Sequence, residues 1–118
     1  MAARPTYLAT NIGFFLGAGL HPPIVRLQYG VPLGRVAIVT ASMGLTDVGG
    51  AGANTTNIVI FVNGAAFFGY ANPGIAFAQS ITIPDIHLNS NDIIRIDTLN
   101  ALAIGHIYSG SFAIREST

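Results

Sequence analysis

The stretch Asn57–Phe68 constrains the fold more than any other part of the sequence. It places two apolar runs on either side of the pair Asn63-Gly64. Asn and Gly tolerate the positive φ that a two-residue hairpin turn requires, so the stretch predicts a β-hairpin. The first arm, residues 58–62, is β-branched or aromatic at every position. It therefore predicts a strand covered on both faces, by a core on one side and by a second layer or another subunit on the other.

The rest of the chain alternates apolar and polar residues in short runs. Gly, Pro and Asn separate these runs roughly every 8 to 12 residues, and no segment has the periodicity of a helix. The sequence predicts an all-β protein, an antiparallel β-sandwich (jelly roll) of about eight strands. Besides the hairpin, the predicted strands lie within residues 8–16, 25–29, 36–43, 75–83, 93–97 and 104–114.

A chain of 118 residues is long enough for one self-sufficient core and predicts a single domain. Within it we expect an N-terminal arm or first strand over residues 1–20 and the β-sandwich over residues 21–118. The apolar start resembles a poor signal peptide, but Thr10 and Asn11 interrupt it, so we expect it to be retained. No apolar run approaches the roughly 18 residues of a membrane helix, and no membrane partner is expected.

Glycine, proline and asparagine predict where the strands end. Residues 44–56 contain four glycines and are expected to form an exposed loop. Residues 70–74 and 89–92 read as turns, and Pro84 is expected to end the strand before it. Gly110, between two aromatic residues of the last strand, predicts a β-bulge or a close backbone approach.

Charge is the most unusual feature of the composition. Charged residues make up 8% of the chain, as five arginines and five carboxylates with no lysine, and the formal net charge is zero. An ordinary domain has about 25% charged residues. We infer that much of the exterior is buried against copies of the chain or another protein. With no basic field, nucleic acid is not an expected partner.

The second half of the chain resembles the jelly-roll heads of tumour necrosis factor and complement globular-head proteins. The likeness lies in the strand ending at Asn63-Gly64, in the run Leu88-Asn89-Ser90-Asn91-Asp92 followed by alternating apolar residues, and in Tyr108-Ser109-Gly110-Ser111-Phe112. It covers roughly residues 57–115, while the first half follows the family less closely. The resemblance implies a tight homotrimer. Similar small jelly rolls occur in bacteriophage decoration proteins and fibre heads.

The absence of cysteine, the low charge and the apolar start favour a virion component over a secreted cytokine. We therefore expect a homotrimeric capsid decoration or cement protein that contacts a major capsid protein or another virion protein. The alternative is a trimeric receptor- or glycan-binding head of a phage tail or fibre. The expected core and trimer interface comprises Ile58, Ile60, Phe61, Val62, His106, Tyr108, Phe112 and Ile114. The expected capsid-docking residues are Leu8, Ile12, Phe14, Phe15 and Leu16, and the candidate ligand-loop residues are Asp47, Asn54, Phe68 and Tyr70.

No motif in the sequence predicts catalysis or a cofactor. The three histidines lack the short spacing of metal motifs, and His106 is interpreted as a core or interface residue, with a metal ligand on a trimer axis as the alternative. Asp97, His106 and Ser109 contain the letters of a triad without a nucleophile elbow. The glycine-rich loop has no lysine for a phosphate. We expect neither an enzyme nor a bound cofactor.

The remaining polar groups have two interpretations. Oxygen ligands of the kind that calcium prefers are available from Asp85, Asp92, Asp97 and the turn 89–91. The interpretation we favour is structural: Asp92 caps a turn, and Asp97 pairs with Arg95 or Arg115, at about 0 to 1 kcal/mol if the pair is exposed. Asn54-Thr55-Thr56 matches a glycosylation sequon, which matters only in a eukaryotic secretory pathway.

Overall fold

The computed structural model describes residues 6–17, 24–47, 57–71, 77–99 and 106–118. These residues form an antiparallel β-sandwich without helices, as the sequence predicted. The strands are β1 (Thr6–Leu16), β2 (Val25–Gly30), β3 (Val36–Asp47), β4 (Asn57–Val62), β5 (Ala65–Ala71), β6 (Phe77–Leu88), β7 (Ile93–Leu99) and β8 (His106–Ser117).

The strands form two four-stranded sheets with the connectivity of a jelly roll. Sheet A has the order β1-β8-β3-β6, and sheet B has the order β2-β7-β4-β5. Four of the pairings are nested: β4 pairs with β5, β3 with β6, β2 with β7, and β1 with β8. The chain thus runs as one long hairpin folded over on itself, with the turn between β4 and β5 at its centre.

That central turn is the Asn63-Gly64 pair. Asn63 has φ of 51° and Gly64 of 79°, as a type I′ turn requires. The Asn63 side chain also binds the β6–β7 turn, because Nδ2 donates to Asp92 Oδ1 at 2.9 Å and Oδ1 accepts from the backbone N–H of Ile93 at 2.9 Å. Asp92 Oδ2 accepts from the N–H of Asn89, which caps the turn as expected. One asparagine therefore fixes two turns together.

The core lies between the sheets and follows the alternation of the strands. In β4 and β7 the buried apolar residues are every second one, and β3 and β8 keep the same period. The largest fully buried side chains are Tyr108, Phe112, Met43, Leu45, Ile58, Ile60, Ile94, Ile96, Ile114 and Val39. Among the described residues, no buried side-chain nitrogen or oxygen lacks a hydrogen-bond partner.

Three predicted strand boundaries are wrong. The loop predicted to begin at Gly44 begins later, because β3 continues to Asp47 in register with β6 and β8. The turn predicted to begin at Tyr70 also begins later, because β5 extends to Ala71 and pairs with β4. Gly44 and Tyr70 lie within strands because the neighbouring strands supply hydrogen bonds to their backbones. The remaining residues of the predicted loop and turn, 48–56 and 72–74, lie outside the described part.

Pro84 does not end its strand. β6 runs through it to Leu88, and two residues, Pro84 and Asp85, face the single residue Thr40 of β3. This is a β-bulge, and Asp85 adopts φ of 54° within it. The proline is tolerated because β6 is the edge of sheet A, where one side of the strand needs no partner.

Gly110 is a site of close approach and not a bulge. The register of β8 with β3 is continuous through it. A Cβ at this position would lie 2.5 Å from Phe14 Cε1 and 2.9 Å from Ile96 Cδ1. The missing side chain allows Phe14 of β1 to pack against the buried face of the last strand.

Candidate functional site

The outer face of sheet A is a flat surface of small, uncharged side chains. In register across β1, β8, β3 and β6 it presents one row of Phe15, Ser109, Gly44 and Ser80, and a second row of Gly13, Ser111, Ser42 and Thr82. The hydroxyls of Ser42 and Thr82 lie 3.3 Å apart. A shallow groove of about 680 Å³ runs over these rows. A surface of this kind offers shape and hydroxyl groups to a partner, but no charge.

Three charged residues of sheet A, Asp85, Arg115 and Glu116, lie at the end where β6 turns into β7. A cavity of about 450 Å³ opens there, lined by Ile38, His87, Arg115 and Glu116 among others. Arg115 Nη2 lies 3.6 Å from Asp85 Oδ1, and both side chains are mostly exposed. An exposed ion pair at this distance contributes about 0 to 1 kcal/mol.

Glu116 is the least expected residue of this end, because it points into the sandwich and is only 2% exposed. Its carboxylate accepts hydrogen bonds from the Tyr29 hydroxyl and from Arg35 Nη1, the latter at 2.8 Å. Burial tends to raise the pKa of Glu116, but these hydrogen bonds and the charge of Arg35 outweigh it and lower the pKa below its ordinary value. Burial and the Glu116 partner raise the pKa of Tyr29.

The outer face of sheet B carries a second ion pair. Arg95 Nε lies 3.0 Å from Asp97 Oδ1, and the Arg95 guanidinium lies 4.5 Å from the centre of the Phe61 ring. Asp97 is 7% exposed, although it points away from the core. Arg95 therefore covers part of the outer face of β4, the strand that the sequence predicted to be covered on both sides.

The expected core and trimer-interface residues occupy two different environments. Phe61 and Val62 are half-buried. His106 begins β8, and its side chain lies outside the described residues. The other five form part of the single-chain core and are inaccessible to a second copy: Ile58, Ile60, Tyr108, Phe112 and Ile114.

The expected docking residues lie on β1, which is a strand of the sandwich paired with β8. Ile12, Phe14 and Leu16 are half-buried and pack against the core, so their apolar surface is mostly used within the chain. Leu8 and Phe15 are 40% and 71% exposed. Phe15 is therefore the largest apolar group that β1 offers to a partner.

The candidate ligand-loop residues are only partly together. Asp47 ends β3, and Tyr70 lies near the end of β5, at the end of the sandwich where β8 begins at His106. The backbone of Asp47 is in register with His106 and Phe77; the side chains of Asp47, Tyr70 and His106 lie outside the described residues. Phe68 packs against the core instead. Asn54 lies outside the described part.

The structure does not assemble the triad letters into a site. Asp97 lies on the outer face of sheet B and Ser109 on the outer face of sheet A, so the whole sandwich separates them. Within the described ranges, no three His, Asp or Glu residues gather in a way that would hold a metal ion. None of the described segments forms a helix of the length and hydropathy that a bilayer crossing needs.

Sequence reasoning missed Glu116 and Tyr29 as a pair. The alternation of β8 carried the signal, because Glu116 shares its parity with Phe112 and Ile114 and is thereby directed inward. Tyr29 shares its parity with Leu27 in β2. The sequence did not show that a side chain of β2 and a side chain of β8, which lie in opposite sheets, would contact each other. A comparison with protein-family models and with curated proteins finds no match for the chain.

Proposed function

We propose that this protein is a structural subunit of a virion: a homotrimeric capsid decoration or cement protein that stabilises a phage head by contacts with the major capsid protein or another virion protein. It acts without catalysis, cofactor, nucleic acid or membrane. One observation carries the proposal: the chain has few charges, its formal net charge is zero, and most of the charged residues in the described part are paired within it.

Within the described segments, three ion pairs account for six of the chain's ten charged residues: Arg35–Glu116, Arg95–Asp97 and Arg115–Asp85. Two of them withdraw a carboxylate into the protein, since Glu116 and Asp97 are both buried. A neutral, charge-poor surface gives a monomer little self-repulsion and favours association. Weak apolar and hydroxyl contacts that are repeated by symmetry over a capsid would stabilise the capsid through avidity, because several contacts of each assembly form at the same time.

The surfaces left for such contacts are the two outer faces and not the core. Phe15 is exposed on sheet A, Ile93 on sheet B, and Phe67 at the irregularity of β5. A homotrimer is what the resemblance to the tumour necrosis factor and complement heads implies. Since Ile58, Ile60, Tyr108, Phe112 and Ile114 fill the single-chain core and Val62 packs against it, the proposed seam uses Phe61 and its exposed neighbours.

Native mass spectrometry and sedimentation velocity test the assembly. We expect a complex whose mass is three chains or a multiple of three, and which persists when sodium chloride is raised from low to about 1 M, because screening weakens charge pairs and not apolar contacts. Electron microscopy of the native particle then tests the location, with density expected on the outside of the capsid shell. A stable monomer that does not associate with capsid shells would refute the proposal.

The alternative function is a trimeric head that binds a receptor or glycan. Its support is the register that brings Asp47, Tyr70 and His106 to one end of the sandwich, where the connections 48–56, 72–76 and 100–105 also leave the strands. Aromatic rings stack on sugars. Binding on a glycan array that is lost in Tyr70→Ala and kept in Phe67→Ala, an exposed aromatic near the opposite end, would favour this function.

A further inference from the structure

The two sheets have four edge strands, and they are not alike. Sheet A ends in β1 and β6, and sheet B ends in β2 and β5. An edge strand presents unpaired N–H and C=O groups, which another strand can use. Proteins commonly block this pairing with bulges, prolines or charged side chains.

Three of the edges are interrupted. β6 contains the Pro84–Asp85 bulge, with a proline that has no N–H to donate and a residue at positive φ. The register of β2 shifts between Val25 and Leu27, and that of β5 shifts opposite Ile60 and Phe61. A bulge twists the edge away from a would-be partner and breaks the regular spacing of its hydrogen-bonding groups.

β1 has a register shift at its start, between Thr6 and Leu8, but none of these devices from Leu8 to Leu16. Every residue of that stretch is in unbroken register with β8, and none is a proline or carries a charge. Among the described residues, only β8 pairs with β1. Two of its side chains are large, apolar and exposed, Leu8 at 40% and Phe15 at 71%. The edge is therefore both regular in its backbone and apolar in its side chains.

We propose that β1 pairs antiparallel with β1 of a second copy across a two-fold axis, so that two A sheets join into one continuous sheet of eight strands. The register with the longest overlap of Leu8–Leu16 places Ile12 opposite its own copy. On the inner side it sets Leu8 opposite Leu16 and Thr10 opposite Phe14. On the outer side it sets Phe15 opposite Ala9 and Asn11 opposite Gly13.

This register explains why the occupant is a second copy. In this register the exposed Phe15 faces the small Ala9, which leaves room for the ring. The exposed Leu8 faces the half-buried Leu16, which covers it. No like charges face each other, because the strand has none. The same patch serves both partners, as an isologous interface requires. The contact uses an edge, and so goes beyond the proposed trimer, which uses the outer faces.

Mixed disulfide trapping tests the register. The natural chain has no cysteine, so each introduced thiol is the only one in its chain. Ala9→Cys mixed with Phe15→Cys under mild oxidation is expected to give a covalent dimer that contains one chain of each kind. Each variant alone is expected to give little covalent dimer, because residue 9 faces residue 15 and not its own copy. Phe15→Cys mixed with Ala113→Cys is the control, because Ala113 is exposed on the same outer face but lies on the interior strand β8. Trapping no greater than in this control would overturn the proposal.

A second measurement does not depend on cysteine. Ala9→Lys with Asn11→Lys places charge on the open edge, and sedimentation velocity is expected to show the mass of the assembly falling by half. The control, Leu33→Lys with Asn89→Lys, places the same charge on exposed turn residues, away from the open edge and from both outer faces, and is expected to keep the mass. If the trimer proposal fails, the native assembly is a dimer that the edge variant turns into a monomer. If the edge proposal fails, the edge variant keeps the native mass. The finding that β1 pairs with a strand of another protein would also overturn the edge proposal.

Discussion

The Tyr29 hydroxyl of sheet B donates a hydrogen bond to the Glu116 carboxylate of sheet A, through the interior of the sandwich. Arg35, which precedes β3, holds the same carboxylate from the loop side at 2.8 Å. Glu116 is thus a polar tie between two sheets that otherwise meet through apolar side chains. Because its three groups come from three segments, it reports on the integrity of the whole end of the fold.

The tie makes stability depend on pH. The pKa of Glu116 is lower in the folded chain than its ordinary value of 4.5, so the unfolded chain binds the proton more readily. The stabilisation is therefore fully present above about pH 4.5 and is lost as the pH falls through the folded pKa. We expect Glu116→Gln to be less stable than the natural protein at pH 7, with a difference that shrinks toward pH 3. Urea unfolding at several pH values measures it, and a difference that stays constant with pH would contradict the tie.

Asn63 is expected to matter more than its exposure suggests. Asn63→Ala removes two hydrogen bonds, to residues 92 and 93. It also leaves alanine at positive φ, where alanine has no side-chain amide to form a local hydrogen bond. We therefore expect a loss of about 1 to 3 kcal/mol in the free energy of unfolding. Asn63→Gly accepts the positive φ and loses only the hydrogen bonds, and should cost less. Chemical denaturation separates the two terms. Asn11→Ala, an exposed amide on β1, is the matched control.

Gly110 should not accept a side chain. In Gly110→Ala the new Cβ meets Phe14 and Ile96 at distances that force one of them to move, and overpacking of this kind costs about 1 to 3 kcal/mol. Gly30→Ala is the control, since its Cβ would have only an ordinary contact with Ile93 Cγ1 at 3.7 Å. Combining Gly110→Ala with Phe14→Leu tests the cause. Thermal unfolding should show part of the loss restored, and a double variant no better than the sum of the two changes would exclude the clash.

The Arg95–Asp97 pair is expected to be coupled more strongly than a surface pair. Arg95→Met keeps an apolar stem over Phe61 but leaves the buried Asp97 carboxylate without its partner. Loss of one member of a fully buried pair costs about 3 to 5 kcal/mol, whereas an exposed pair contributes about 0 to 1 kcal/mol, and we expect this partly buried pair to lie between them. Asp97→Asn added to Arg95→Met should recover part of the loss. A double-mutant cycle measures the coupling, and simple additivity would show that the pair behaves as an exposed one.

The sequence predicted the elements whose reasons are local. The hairpin followed from Asn63-Gly64, and the inward direction of Ile94 and Ile96 in β7 followed from alternation. It could not predict what depends on the partner strand. Pro84 reads as a stop in isolation and becomes a bulge because β6 is an edge, and Gly44 reads as loop although β6 and β8 flank it.

The candidate surfaces were harder to predict for the same reason. The same apolar residue types occur in a core and in an interface between subunits, so the sequences of β4 and β8 do not distinguish the two. The packing of sheet B on sheet A assigns Ile58, Phe112 and their neighbours to the core. The open edge of β1 is a property of strand order. A single sequence shows which segments form strands, but not which of them lies last in its sheet.

The nested pairing also bears on how the chain reaches its native state. β4 and β5 meet across only two residues, whereas Thr6 and Ser117 are joined from nearly opposite ends of the sequence. A contact so distant carries a large loop-closure cost if it forms alone. Formation of each inner pair would shorten the loop that the next pair has to close, so a folding order from the β4–β5 turn outward would keep every closure cost small.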